Sequence, residues 1–198
     1  MHLPLFKTFS NVYDPSEDSF LMMDALDLIK QSGIKPFIIL EICCGIGIIS
    51  SYAKHLFPTS FVISSDYYID PCLNTIDTLQ RNNQTCNSIQ MNIIDNIRPC
   101  TIDLLICNPP YVPSERIMNG FDAAWAGGYN GNEAVTIPLL KDINRILQHQ
   151  QNVLLLLLKV NLKDNLKDIC TQNRLLMDCI LSKQCGNEYL YIYKVYKH

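Results

Sequence analysis

Apolar residues along the chain fall into two alternating kinds of run. Short clusters rich in Ile, Leu and Val at 37–42, 61–65, 89–94, 102–107 and 152–158 predict strands buried on both faces. Between them, apolar positions recur at helical spacing. The first such stretch opens at Ser16-Glu17-Asp18 and runs to about Gln31, with Phe20, Leu21, Met23, Leu26 and Ile29 on one face and Gly33 just past its end. Further helices are predicted over 48–56, from Asp70-Pro71 to about 82, over 133–147 and over 162–172. A terminal hairpin pairs 176–182 with a Tyr-rich run at 188–195. The alternation predicts an α/β fold: a doubly wound, seven-stranded, mostly parallel sheet to which the C-terminal hairpin adds one antiparallel strand. No repeat or linker divides the chain, so a single domain is expected over 1–198, with an N-terminal segment and helix at 1–33 and the core at 37–198. Residues 112–131 carry neither period and are expected to form a mobile substrate loop.

Composition narrows the classes. Hydrophobic residues make up 48% and charged residues 18% of 198 positions, which excludes disorder and leaves apolar surface for a partner. A net charge of −3 and a pI near 5.7 argue against a phosphate-backbone footprint, so no direct nucleic-acid partner is expected. The nine cysteines are odd in number and irregularly spaced, with no CxxC pair. They suggest free thiols in a reducing compartment rather than disulfides or a metal site. No signal peptide opens the chain, and the longest apolar run, 153–158, is far below the ~20 residues of a spanning helix. A soluble cytoplasmic protein is expected, with the nucleus as the other compartment and no membrane partner.

Three acids stand at the ends of successive predicted strands. Glu41 precedes the turn Cys43-Cys44-Gly45-Ile46-Gly47, where small backbone at positions 43, 45 and 47 lets a ligand approach the strand end. Asp66 ends the second strand 19 positions after Gly47, where a carboxylate accepts both hydroxyls of an adenosine ribose. Asp95, with Asn96 beside it, closes the third and is placed to accept from the adenine amino group. Singly, each acid could be a loop residue and the glycine turn a plain strand-to-helix connection. Together they line the crevice where open α/β sheets bind ligands.

Asn108-Pro109-Pro110-Tyr111 follows the fourth strand. The prolines fix φ and restrict the residue before them, so Asn108 and its carbonyls are held rigidly. The Asn108 side-chain oxygen and the Pro109 carbonyl can each accept one hydrogen of a substrate NH2, and Tyr111 offers a flat surface to a planar group. Glu17 and Asp18, in a first helical turn, either complement the helix dipole or contact a ligand.

This tetrad after an apolar strand resembles the signature of methyltransferases acting on exocyclic amino or amide nitrogens, and Glu41 to Gly47, Asp66 and Asp95 match their cofactor motifs in order. The segment from Phe9 to Phe20 and the stretch from Ala123 to Gly131 are similar to those of the short eukaryotic and archaeal branch of the HemK-type release-factor glutamine methyltransferases. The resemblance, from about Phe9 to Tyr193, implies a Rossmann-like class I fold and S-adenosyl-L-methionine as cofactor, giving S-adenosyl-L-homocysteine. The implied reaction is methylation of a glutamine N5 in the Gly-Gly-Gln motif of a class I release factor. It also implies Ser19 as a further cofactor contact with Tyr13 near it, residues 1–33 as a lid, and a heterodimer with a small zinc-binding activator on an edge strand at 89–93. The chain departs from the family at Cys43, where glycine is usual, and at Ile46, where a small polar residue is usual; a side chain at Cys43 costs room beside the cofactor. The rival readings are an N6-adenine methyltransferase of DNA or RNA and a non-catalytic methyltransferase-like binding subunit.

Overall fold

The structure, a computed structural model, describes residues 3–85, 87–115, 120–147, 153–158 and 164–197. Helix α1 (Glu17–Gln31) leads into β1 (Ile38–Ile42), α2 (Ile48–Leu56), β2 (Phe61–Asp66), α3 (Ile69–Arg81), β3 (Asn87–Gln90) and β4 (Leu104–Cys107). After the irregular segment come α4 (Thr136–Asp142), β5 (Val153–Leu158), α5 (Asp164–Gln172) and the hairpin β6 (Leu175–Cys185) and β7 (Glu188–Lys197). The seven strands lie in the order β3-β2-β1-β4-β5-β7-β6. The first five run parallel, and β7 is antiparallel to both its neighbours.

The strands sort their side chains by face, as a period of two requires. Ile39, Leu104 and Ile106 enter the core beneath α1 and α2, while Leu40, Ile42, Leu105 and Cys107 enter the core beneath α4 and α5. On α1, Met22 and Ala25 are buried along with Leu21, Met23, Leu26 and Ile29 of the predicted stripe, and Phe20 is partly buried. The helix packs on α2 and also on strands of the hairpin, so a single apolar stripe is not enough. The chain reverses direction across the sheet between β1 and β4, and the register brings Ile42 level with Ser65 and Cys107 there. That switch point opens a crevice above the carboxyl ends of the strands.

The strand predicted over 102–107 begins only at Leu104, and two further elements are shorter by more. The helix of 133–147 is α4 followed by a 3-10 turn at Ile143–Arg145. Pro138 sets that limit: three residues into a helix begun at Thr136 its missing N–H costs nothing, but deeper in a helix begun at 133 it would remove an internal bond. The third strand ends at Gln90, not 94. Its one neighbouring strand among the described residues, β2, stops at Asp66, and after Met91 donates to the Asp66 carbonyl at 2.8 Å the backbone has no ladder there to extend. Ile93 turns the chain with φ of 45° and Ile94 drops into the core. The predicted edge 89–93 is therefore an edge at 87–90. Predicted helix positions 162–163 and strand position 152 lie outside the described residues.

Candidate active site

A cleft of about 640 Å³ occupies the switch point. Its walls are the segment 11–15, the first turn of α1, the turn after β1, the end of β2, the Asn108–Val112 segment and the residues around Trp125. Its acidic residues are Asp14, Asp18, Glu41, Asp66 and Asp70, and no Lys, Arg or His stands among the described lining residues.

Asn108 leaves β4 into this cleft with Pro109, Pro110 and Tyr111. Its Nδ2 donates to the Asp18 carboxylate at 3.1 Å, and the Tyr111 hydroxyl donates to the same Oδ2 at 3.2 Å. Asp18 Oδ2 accepts from both groups, which turns the Asn108 Nδ2 toward it and the Oδ1 away. Asn108 Oδ1 is left as a buried acceptor without a partner among the described residues. An orphan acceptor of this kind costs about 1–3 kcal/mol unless a ligand N–H reaches it. Asp18 is only 6% exposed, and its other oxygen accepts from the Ser19 backbone N–H at 2.7 Å. Glu17 is exposed and accepts from the Ser16 hydroxyl at 2.6 Å. The two adjacent acids thus divide the two readings that the sequence left open: Asp18 orients the tetrad, and Glu17 remains a surface acid in the helix's first turn.

Glu41 is 1% exposed. One oxygen accepts from the Ser50 hydroxyl, which also meets the Ser64 hydroxyl at 2.6 Å, while Oε1 is buried and unpaired among the described residues. Burial pushes its pKa up to about 8, against the lowering effect of Ser50. Asp66 receives the Gly45 and Tyr68 backbone N–H groups, each at 3.2 Å. Desolvation still raises its pKa above the ordinary value, although those donors oppose the shift.

Residues 19–122 match the methyltransferase small domain family. The chain is 31% identical to methyltransferase HEMK2 of Homo sapiens over 198 aligned residues, covering 96% of this chain and 91% of that protein. The chain belongs to the HEMK2 methyltransferase family. It is also 29% identical to the eRF1 methyltransferase catalytic subunit mtq2 of Schizosaccharomyces pombe, covering 96% and 91% of the two chains. Among solved structures, the E. cuniculi Mtq2-Trm112 complex, responsible for methylation of the eRF1 translation termination factor, superposes with a TM-score of 0.66. That match has 23% identity and covers 95% of this chain and 99% of that one. The seven-stranded, mainly parallel Rossmann-like methyltransferase fold with its C-terminal antiparallel hairpin is as expected.

Within this HEMK2-family chain, Ser19, Glu41, Cys43, Gly45, Asp66, Asn108, Pro109, Pro110 and Tyr111 all line the cleft. Gly47, Asp95 and Asn96 do not. Gly47 has φ of 80°, and a Cβ there would stand 2.7 Å from the Thr75 backbone, so the close approach of α3 requires glycine. Asp95 and Asn96 are exposed in the turn five and six residues beyond β3. The early end of that strand carries them past the cleft and leaves Asn92 in the lining, with its Nδ2 donating to Asp95 at 2.9 Å. Cys43 has φ of 57°, a left-handed conformation that favours glycine, and its thiol meets that of Cys107. Ile46 is buried and presents its carbonyl to the Thr78 hydroxyl at 2.7 Å.

The predicted loop 112–131 is pinned at its base. Val112 exchanges hydrogen bonds with Trp125 and Gly127, and Ser114 donates to the Gly128 carbonyl at 2.9 Å. Gly127 lies so close that a Cβ would collide with the Pro110 and Gly131 carbonyl oxygens. The Glu133 carboxylate ties the turn together through the Asn130 backbone and side chain at 2.9 and 2.8 Å. Sequence patterning missed this brace because it is built from backbone bonds and the Glu133 carboxylate, which leave no apolar period.

Proposed function

We propose that this chain is the catalytic subunit of an S-adenosylmethionine-dependent methyltransferase that modifies the N5 of a glutamine in the Gly-Gly-Gln motif of a class I release factor. The observation that carries the reading is the Asn108 amide beside an acidic cleft, with one N–H held by Asp18 and its buried oxygen without a partner among the described residues. The mtq2 relative is named for eRF1 methylation.

The residues present fit the cofactor. The cleft is within the size range of cofactor pockets. Glu41 and Asp66 offer acceptors, with Ser19 and the turn at 43–46 beside them, and five carboxyls without a facing cation among the described residues suit a cationic ligand. When bound there, S-adenosylmethionine supplies an electrophilic methyl group.

A glutamine amide nitrogen is a weak nucleophile because its lone pair is delocalised into the carbonyl. Asn108 Oδ1 accepts one of its hydrogens, the Pro109 carbonyl accepts the other, and Tyr111 supports the planar group from a hydroxyl fixed on Asp18. Holding both hydrogens directs the lone pair and favours the pyramidal form that attacks. Orientation of this kind supplies up to roughly 7–11 kcal/mol of a barrier, so positioning suffices as the main contribution. An acid-lined cleft repels phosphates, which sets the adenine-N6 reading aside.

The activator subunit is assigned to the β3 edge. Ile89 on β3, Tyr67 before α3, and Ile69 and Leu73 on α3 are 44–60% exposed there. The outer backbone groups of β3 can accept a further strand. Among the described residues no helix is long and apolar enough to cross a membrane.

The test is mass spectrometry of the release factor after incubation with the chain, its activator and labelled cofactor, with an adenine-containing oligonucleotide in parallel. Labelled glutamine in the Gly-Gly-Gln motif, lost in Asn108→Ala while cofactor binding persists, is expected. Label on the oligonucleotide alone, or near-normal turnover in Asn108→Ala, would overturn the reading.

A further inference from the structure

One helix carries an arrangement of polar side chains that the reaction does not use. On α3, Asp70, Asn74, Thr78 and, at its C-cap, Asn82 stand at intervals of four and form one inclined row. Buried Asn side chains in a helix are unfavourable unless their donors and acceptors are met, and Asn74 is 0% exposed. Its partners come from the N-terminal segment. Asn74 Oδ1 accepts from the Phe9 backbone N–H at 2.8 Å, and its Nδ2 donates to the Lys7 carbonyl at 2.8 Å. Two turns along, Asn82 repeats the pattern: its Oδ1 accepts from the Leu5 N–H at 2.9 Å, and its Nδ2 donates to the Leu5 carbonyl at 2.7 Å. At the other end, Asn11 Nδ2 donates to Asp70 at 3.1 Å.

The two side-chain amides behave as peptide groups of a missing neighbouring strand. The spacings agree: eight helical residues rise about 12 Å, and four extended residues, from Leu5 to Phe9, span about 13 Å. The strap runs antiparallel to the helix and delivers Asn11 to Pro15 to the cleft wall. There Val12 is buried in the core with α1, and a Thr8–Asp14 side-chain bond closes the bend. The same helix holds the opposite wall, since Thr75 and Thr78 donate to the Gly45 and Ile46 carbonyls at 3.2 and 2.7 Å.

We propose that residues 5–14 are a strap over the cofactor cleft, latched to α3 by Asn74 and Asn82, and that these two asparagines are positioning residues which set the rate at which cofactor leaves. The inference rests on the cleft being the cofactor site. Neither asparagine lines the cleft, so neither touches the ligand. Their action runs through the strap: when it lifts, Tyr13 and Asp14 leave the cleft wall they share with Asp18 and the turn at 43–46.

The experiment compares the full chain, with its activator, against Asn82→Leu, Asn74→Leu and the double variant. Cofactor dissociation is followed by competition with S-adenosylhomocysteine, and KM and kcat are measured separately. Loss of a two-bond latch is expected to speed dissociation about tenfold. The KM for cofactor should rise far more than kcat falls, and amide exchange at Phe9 and Val12 should accelerate while β1 and β4 stay protected. Asn82 is half-buried at the helix end, so its variant decides the matter if Asn74→Leu does not fold. Unchanged dissociation and unchanged exchange in Asn82→Leu would overturn the latch while leaving the methyltransferase reading in place. A wild-type chain that binds no cofactor would overturn both.

Discussion

Asp18 meets Asn108 and Tyr111 through one carboxylate oxygen, across 90 and 93 positions of sequence. Replacing it by alanine frees the Asn108 amide to rotate and lets Tyr111 drift. Asp18→Ala should lower kcat about 100-fold, the scale of a misplaced reacting group, with a much smaller change in cofactor affinity measured by calorimetry. Glu41 carries a pH dependence. With its pKa pushed up to about 8, it holds a proton at neutral pH and ionises to receive a cationic ligand. Cofactor affinity should therefore rise with pH up to about 8 and then level, and Glu41→Gln should flatten the profile. The folded chain keeps this proton where the unfolded chain has lost it, so stability falls as pH rises from 4.5 to about 8. Asp66 acts in the same direction. Cys43, at φ of 57°, stores backbone strain. Cys43→Gly should stabilise the fold by about 1 kcal/mol, raising Tm by roughly 2–4 °C in a thermal melt, with cofactor affinity unchanged or improved.

At the scale of elements, the NPPY segment is rigid for two reasons, and the sequence contains only one of them. Its prolines restrict φ from within. The 125–133 brace holds it from outside, with Gly127 pressed against the Pro110 carbonyl. Gly127→Ala should displace that carbonyl, so kcat should fall while cofactor binding stays near normal. Amide exchange at Val112 should accelerate in parallel, and a protected Val112 amide with normal turnover would contradict the brace. The ends of the expected loop 112–131 are tied to each other by backbone bonds, and its positions 116–119 lie outside the described residues. The strand and helix cores were legible because period-two and 3.6-residue patterns report burial directly. The end of β3 was not, because a strand stops where its neighbour stops, and β2's end at Asp66 is a property of another segment.

At the scale of the molecule, the β3 edge is the proposed place for a second chain. Met91, inside the predicted edge, is 6% exposed and belongs to the core, whereas Ile89 is 44% exposed. Ile89→Lys should therefore abolish co-purification with the activator and reduce solubility on co-expression, while leaving the Tm of the isolated chain nearly unchanged. Persistence of a stable heterodimer would move the interface elsewhere. By itself the sequence determined the α/β class, the seven strands, the acids at the ends of β1 and β2 and the NPPY tetrad, because these depend on local periodicity, turn chemistry and short motifs. Tertiary structure alone decided that Asp18 orients Asn108, that Gly47 makes room for Thr75, that Asp95 and Asn96 pass the cleft, and that Asn74 and Asn82 pair with the N-terminal strap. Each of those depends on contacts between residues far apart in the chain, and only packing reveals which distant atom satisfies a given donor, acceptor or close approach.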